Sequence, residues 1–215
     1  PAPDKCFITF ITLKRPYITL KWAESADGFI DINRTGGKPI ILSNPLTSML
    51  VHKKRAEHDA ILVGRHTALL ATPSLSTRNW YGKHPVRLVI DKERHYPEIW
   101  NFSTQNKDIR VYPGIPLSAK RNNRIHIVGI QQRYPAANNG SIISEKITIS
   151  PSISGSFILQ SFIDSGLWDE AFIEKAPLRL NNGIQAPSIQ KKHFKLNKIY
   201  FGREIMHAVH SQIQR

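Results

Sequence analysis

Residues 15–31 read R-P-Y-I-T-L-K-W-A-E-S-A-D-G-F-I-D, and residues 52–78 read H-K-K-R-A-E-H-D-A-I-L-V-G-R-H-T-A-L-L-A-T-P-S-L-S-T-R. The first stretch opens with an apolar run, Tyr17 to Trp22, that enters a polar turn carrying Asp27 and Gly28. The second holds another buried-type strand, Asp59 to Val63, which ends at a glycine and is followed by Thr67, Leu75 and Arg78 in a loop. Two strands whose C-terminal ends both run into Gly-containing polar loops predict a ligand crevice at the edge of an α/β sheet.

Outward from this pair, a Gly-rich loop spans Thr35 to Pro39. A helix is expected from Asn44-Pro45, because Asn caps well and Pro suits the first helical position. It runs to about Glu57, with Leu46, Met49, Leu50 and Lys53 on one side. A helical turn at Arg65 to Leu70 leads to Pro73, and a third strand covers Val86 to Ile90. Between residues 92 and 150, Ile109 to Tyr112, Arg124 to Val128 and Lys146 to Ile149 read as short strands separated by Pro and Asn-Gly signals. A helix over Ser156 to Ser165 stops at Gly166, and Trp168 to Ile173 begins the next strand. Lys198 to Phe201 and Ile205 to Val209 read as a final pair of strands, or as a strand and a turn. Residues 1–14 read as a connector, in which Cys6 to Thr12 alternates as an edge strand would. Strands interleaved with a few helices give an α/β fold with a mixed sheet.

A chain of 215 residues with 40% hydrophobic content fits one domain, 15–215, with a sizeable core. No apolar run approaches the ~20 residues of a membrane-spanning helix, and the N-terminus lacks the layout of a signal peptide. The lone cysteine, Cys6, leaves no internal disulfide framework and no multi-Cys metal site. A cytoplasmic protein is the expectation. The net charge of +14 is spread along the chain, without a like-charge tail or a nucleic-acid module. It favours small polyanionic ligands over nucleic acid or a membrane surface.

Several side chains stand out chemically. Lys21 interrupts an apolar strand, so it either lies in water on an edge strand or faces an anionic or carbonyl-bearing ligand. Asp27 either bonds its own turn or handles a proton. Arg55 and Arg78 suit phosphate, because a guanidinium offers two parallel charge-assisted hydrogen bonds. A helix N-terminus behind Ser154-Gly155-Ser156 favours an anion. The nine His are scattered without metal-ligand spacing, so no metal is expected, and His52 and His58 read as polar surface residues.

The segments K-x-A-x-S-x-D-G at 21–28, R-A-E-H-D-A-I at 55–61, T-P-S-L-S-T-R at 72–78 and I-L-Q-S-F-I-D-S-G-L-W-D-E at 158–170 together resemble the reductase-domain family of the bifunctional riboflavin biosynthesis protein RibD. The resemblance is dense over 14–91 and 155–170 and weak over 92–150. It implies a dihydrofolate-reductase-like fold, with a mixed, mostly parallel central sheet flanked by helices. It implies NADPH-dependent reduction of 5-amino-6-(5-phosphoribosylamino)uracil, a phosphoribosyl-pyrimidine, to the ribitylamino product. It also implies a homodimer, and a deaminase activity on a separate domain or chain. The zinc signature of such a deaminase, H-x-E with P-C-x-x-C, is absent from this sequence.

Carried over by position, the resemblance implies that Lys21 and Asp27 are catalytic. It implies cofactor contacts at Glu24, Ile41, Thr67, Ala71, Ser154, Gly155, Ser156 and Phe157, and substrate contacts at Arg55, Leu75, Arg78 and Ile153. Four positions depart from the family pattern. Ala71 stands for an Asp, Ile41 for an aromatic, Ile153 for a Glu and Ser154 for a Gly. These departures leave open a second expectation: a degenerate, non-catalytic nucleotide-binding or partner domain of the same fold.

Overall fold

The computed structural model describes residues 5–13, 15–33, 40–64, 67, 74–91, 109–113, 146–149 and 155–210. The expected strand at 124–128, the Gly-rich loop at 35–39, most of the turn at 65–70, and Ala71, Ile153 and Ser154 lie outside them.

The strands are β1 (Tyr17–Glu24), β2 (Phe29–Asp31), β3 (Ala60–Gly64), β4 (Val86–Asp91), β5 (Ile109–Pro113), β6 (Lys146–Ile149), β7 (Glu170–Lys175), β8 (Ile184–Gln185), β9 (Phe194–Tyr200) and β10 (Arg203–Val209). The α-helices are α1 (Lys5–Leu13), α2 (Pro45–Ala56) and α3 (Gly155–Asp164). Eight strands form one sheet in the order β5-β4-β3-β6-β1-β7-β10-β9, and β2 pairs with β8 outside it. Every pairing from β5 across to β7 is parallel, while β7–β10 and β10–β9 are antiparallel. The sheet is thus mixed and mostly parallel, as expected, and the tail is a strand pair.

β1 lies between two parallel neighbours, which explains its buried run from Tyr17 to Leu20. Period two then divides its side chains between the faces. Ile18, Leu20 and Trp22 pack in one cluster with Leu159 and Phe162 of α3. Thr19 and Lys21 face the other side, against Val51 and Arg55 of α2. The alternative that Lys21 sits on an edge strand in water is therefore removed.

Five expectations need correcting. Residues 5–13 form a helix, not an edge strand. Cys6 and Thr9, three apart, are its buried residues, and Lys5 anchors it to Glu170 at 2.8 Å. That spacing of three suits a helix docked by one narrow stripe, not a strand face. α2 starts where Asn44 accepts a hydrogen bond from the Thr47 amide, as its cap residue predicts, but its inward face differs. Its buried residues are Thr47 and His52, while Leu46 and Lys53 are exposed. That face meets polar partners, so hydrophobicity points the wrong way. His52 and His58 are buried, not on the surface. His58 donates from Nδ1 to the Lys54 carbonyl (2.6 Å) and meets Thr19 Oγ1 through Nε2 (3.1 Å). β7 begins at Glu170, not Trp168, because the Asp169 carboxylate itself takes the Ile18 amide (2.7 Å). Finally, β9 begins at Phe194, before the expected Lys198.

Candidate functional site

Parallel β1, β3 and β7 bring their C-terminal ends to one edge of the sheet, and the candidate site lies along that edge. On the α2 face a shallow cleft is lined by Thr19 and Lys21 of β1, Val51, Lys54 and Arg55 of α2, Ile61 of β3 and Phe172 of β7. Three of these seven residues are cationic, so the cleft suits an anion.

Lys21 keeps 18% of its side chain exposed and lies 3.7 Å from a carboxylate oxygen of Glu174. Burial pulls its ammonium below the ordinary lysine range; Glu174 opposes that and Arg55 adds to it. Arg55 donates from Nη1 to the Ser76 carbonyl (3.2 Å), and its buried Nε has no hydrogen-bond partner among the described residues. Burial first, and Arg78 second, pull its guanidinium down to about 10. Two neighbouring guanidiniums, one of them partly buried, are relieved by an anion between them. Arg78 itself is exposed and donates to the Ser74 hydroxyl. His52 donates from Nδ1 to the same Ser76 carbonyl at 2.9 Å, which fixes the loop under both arginines.

The other expected residues divide. Asp27 is held by its surroundings: Oδ1 accepts from the Ser25 hydroxyl (2.6 Å) and the Leu180 amide (3.1 Å), and Oδ2 from the Asn181 amide (2.8 Å). The Ser25 bond above all lowers its carboxyl to about 2. These bonds tie Asp27 both to Ser25 of its own turn and to the distant loop at Leu180 and Asn181, and it does not line the cleft. Glu24 accepts from the Trp22 indole (3.0 Å) and lies 4.0 Å from Lys175. Ile41 is 83% exposed. Leu75, expected to contact substrate, has its side chain in a core cluster with Ile61, Val63 and Val89, on a backbone with φ of 49°. Only its backbone remains for a ligand.

On the opposite face the N-terminus of α3 meets the end of β3. Gly64 makes this possible: a Cβ there would lie 2.5 Å from Ile158 Cδ1. The first amides of a helix have no intrahelical acceptor. The Ser156 hydroxyl is already donated to the Gln185 carbonyl (2.6 Å), so its backbone N–H is what it can offer a ligand. Phe157 beside it is exposed. Thr67, beyond β3, is fully buried, with a hydroxyl that has no partner among the described residues. Among the described residues, a hydroxyl without a partner and a helix N-terminus at one strand end fit a dinucleotide phosphate. Among the described residues no group of His, Cys, Asp or Glu could hold a metal ion, and no helix is long and apolar enough to cross a membrane.

Sequence reasoning missed Glu174, Ser43 and Thr47. The Glu174 carboxylate is buried and accepts from the Ser43 hydroxyl and the Thr47 hydroxyl, both at 2.6 Å. A Glu inside E-A-F-I-E-K was the available signal, since a charge within a central strand needs partners.

Comparison with known proteins bears on this geometry. A family model, the RibD C-terminal domain, matches residues 16–128. The riboflavin biosynthesis protein RibD of Aquifex aeolicus is 30% identical over 187 residues, which cover 83% of this chain and 51% of that protein. The chain spans about half the length of the curated relatives it matches. A Thermotoga maritima diaminohydroxyphosphoribosylaminopyrimidine deaminase/5-amino-6-(5-phosphoribosylamino)uracil reductase superposes with a TM-score of 0.67 at 21% identity, covering 95% of this chain and 59% of that one. A dihydrofolate reductase of Enterococcus faecalis, solved with NADP(H), superposes with a TM-score of 0.54 at 11% identity, covering 90% and 95%. The architecture is thus the dihydrofolate-reductase-like α/β fold.

Proposed function

We propose the following role for this chain, which belongs to the RibD C-terminal domain family: it is a riboflavin-biosynthesis reductase that uses NADPH to reduce 5-amino-6-(5-phosphoribosylamino)uracil to its ribitylamino product. The observation that carries the reading is the pair of sites at one sheet edge. One is the cationic cleft of Lys21, Lys54 and Arg55; the other is the α3 N-terminus beside Gly64 and the orphan Thr67 hydroxyl.

When bound, the reduced nicotinamide would supply hydride to C1′ of the ribosyl group. The chain's own residues bind and orient. Arg55, with Arg78 at the rim, grips the substrate phosphate. Lys21 presents its ammonium to the polar end of the substrate. Thr67 and the backbone amides of Gly155, Ser156 and Phe157 hold the cofactor's phosphates. Asp27 enters as the residue that fixes the turn after β1, not as a proton carrier. The protein would act in the cytoplasm as a homodimer, with deamination supplied by another domain or chain.

Thermal melting with and without NADPH, followed by turnover with the pyrimidine nucleotide, tests the reading. A ligand that binds only the folded state raises the melting temperature by mass action. Saturating NADPH that leaves melting unmoved overturns the cofactor assignment. Ala71 and Ile153, which replace a family Asp and Glu, favour a second reading, a nucleotide-binding domain without turnover. NADPH binding with no oxidation in the presence of substrate selects it.

A further inference from the structure

Lys21 and Glu174 meet on a diagonal of the sheet. In the parallel β1–β7 register Lys21 stands opposite Phe172, and Ala23 stands opposite Glu174. Side chains two residues apart on a strand share a face, so Lys21, Ala23, Phe172 and Glu174 project together. The methyl of Ala23 leaves room above it, and the Glu174 carboxylate reaches across to within 3.7 Å of Lys21 Nζ. Besides Lys21, the carboxylate is held from the start of α2 and from β10. Oε2 takes the Ser43 hydroxyl just before α2, and Oε1 takes the Thr47 hydroxyl in the first turn of α2, each at 2.6 Å. Arg203 Nε, at the start of β10, lies 4.0 Å from Oε1. Glu174 is 1% exposed, so its carboxylate meets these protein partners rather than solvent.

A buried carboxylate with two short hydroxyl donors has little freedom to move. Its remaining capacity faces Lys21, one of the three cations that line the cleft. We propose that Glu174 is a positioning residue: its fixed carboxylate holds the Lys21 side chain in the cleft and keeps it an ammonium ion. The inference rests on the reading of Lys21 as a ligand-facing cation. Its physical need is clear from the surroundings. Lys21 is faced by Arg55 from α2, and Lys54 of the same helix lines the same cleft. Burial and the Arg55 charge both favour the neutral amine, and Glu174 is the group that opposes them. Ser43 and Thr47, near the N-terminus of α2, thereby tie the start of that helix to the charge state of a strand residue.

The test is the pH dependence of amine labelling at Lys21, read by mass spectrometry, in the wild-type chain and in Glu174→Gln and Glu174→Asp. An opposite charge at this range moves a titration by about one to three pH units. The labelling midpoint of Lys21 should therefore fall by at least about one pH unit in Glu174→Gln. It should fall less in Glu174→Asp, which keeps the charge but withdraws it by one methylene. If the enzyme turns over, the alkaline limb of its pH–rate profile should move down by the same amount. A general structural role would lower rate and melting temperature without moving that limb. An unmoved midpoint in a folded Glu174→Gln variant overturns the proposal; if that variant does not fold, an unmoved midpoint in Glu174→Asp does so. Labelling needs no turnover. A shifted midpoint in a chain that never reduces the pyrimidine supports the positioning role while rejecting the proposed function, and the reverse pattern separates them the other way.

Discussion

Gly64 at the end of β3 leaves the space that Ile158 of α3 fills: a Cβ on Gly64 would lie 2.5 Å from Ile158 Cδ1. The glycine is needed for close approach, because it sets how near the helix N-terminus comes to the strand end. Gly64→Ala should lower stability by about 1 kcal/mol, since the obstructing atom is the tip of a flexible side chain. It should weaken NADPH binding more than that, by moving the α3 amides. Ile158→Val in the same chain removes Cδ1 and should restore both. Denaturation midpoints and NADPH titrations of the single and double variants check this. Failure of the second substitution to rescue would mean the contact is not what sets the helix position.

Arg55 and Arg78 carry different loads. Arg55 is partly buried, its Nε is unpartnered among the described residues and its guanidinium is pulled down to about 10, whereas Arg78 is exposed. Arg55→Lys keeps charge and loses the fork, and should weaken substrate binding by ~1–3 kcal/mol. Arg78→Lys should cost the substrate less, and neither should change NADPH affinity by much. Calorimetric titration of both ligands decides it. Equal losses of substrate and NADPH affinity in Arg55→Lys would place Arg55 in the fold or the cofactor site.

Asp27 clasps the loop at Leu180 and Asn181 by two backbone amides. Asp27→Asn removes the charge and converts one acceptor into a donor facing that loop. Hydrogen exchange at the Leu180 and Asn181 amides should accelerate while the β1 amides keep their protection. A large loss of kcat with unchanged exchange at those amides would instead return Asp27 to a chemical role.

The strand-and-loop plan was legible because β1 and β3 are long enough, and apolar enough, to declare themselves. The cap at Asn44 and the stop at Gly166 follow from local chemistry, and both stand where expected. α1 misled because a short mixed run of apolar and polar residues does not fix the period: Cys6 and Thr9, three apart, would take opposite faces of a strand but share one face of a helix. α2 misled because its inward face binds hydroxyls and carbonyls, so its hydrophobic side is not its buried side. Arg55 and Lys21 stand out by type and place, and the structure puts them in one cleft. Glu174 was not found, because its meaning depends on register with β1, and register is not visible from one strand. Leu75 shows the converse limit: position in the chain does not reveal that its side chain lies in the core.

Asp169 and Arg15 form a buried two-pronged ion pair, with contacts of 2.6 and 2.8 Å, that joins residues 154 apart in sequence. Asp169 also accepts the Ile18 amide, so it stitches the start of β7 to β1 beneath the site. Asp169→Asn keeps the shape and removes the charge, leaving Arg15 buried without its partner. Breaking one side of such a pair costs about 3–5 kcal/mol. The denaturant midpoint should fall accordingly, with the slope of the transition unchanged. A fall below about 1 kcal/mol would show that Arg15 finds water or another acceptor when the pair is broken.

His210 packs against this pair and extends the argument to pH. Its ring lies 5.2 Å from that of His193 and 5.0 Å from that of Trp168. Burial first, and His193 second, push its imidazole below the ordinary range; Arg15 and Lys192 act in the same direction, and Asp169 opposes them. His52 is lowered too, chiefly by burial. The sign follows directly. The unfolded chain takes up these protons near pH 6.5, while the folded chain resists them until lower pH, so the unfolded state binds more protons in between. Stability is full above about pH 6.5 and erodes as pH falls below it. Melting temperatures measured from pH 8 down to pH 5 should therefore decline on the acid side. His210→Gln should flatten part of that decline, and His52→Gln another part, since the two rings lie in separate places. Equal acid slopes in the wild-type chain and both variants would assign the acid sensitivity to other groups, among which the carboxylate of Glu170, held low by His207, Lys5 and Tyr17, is the first to examine.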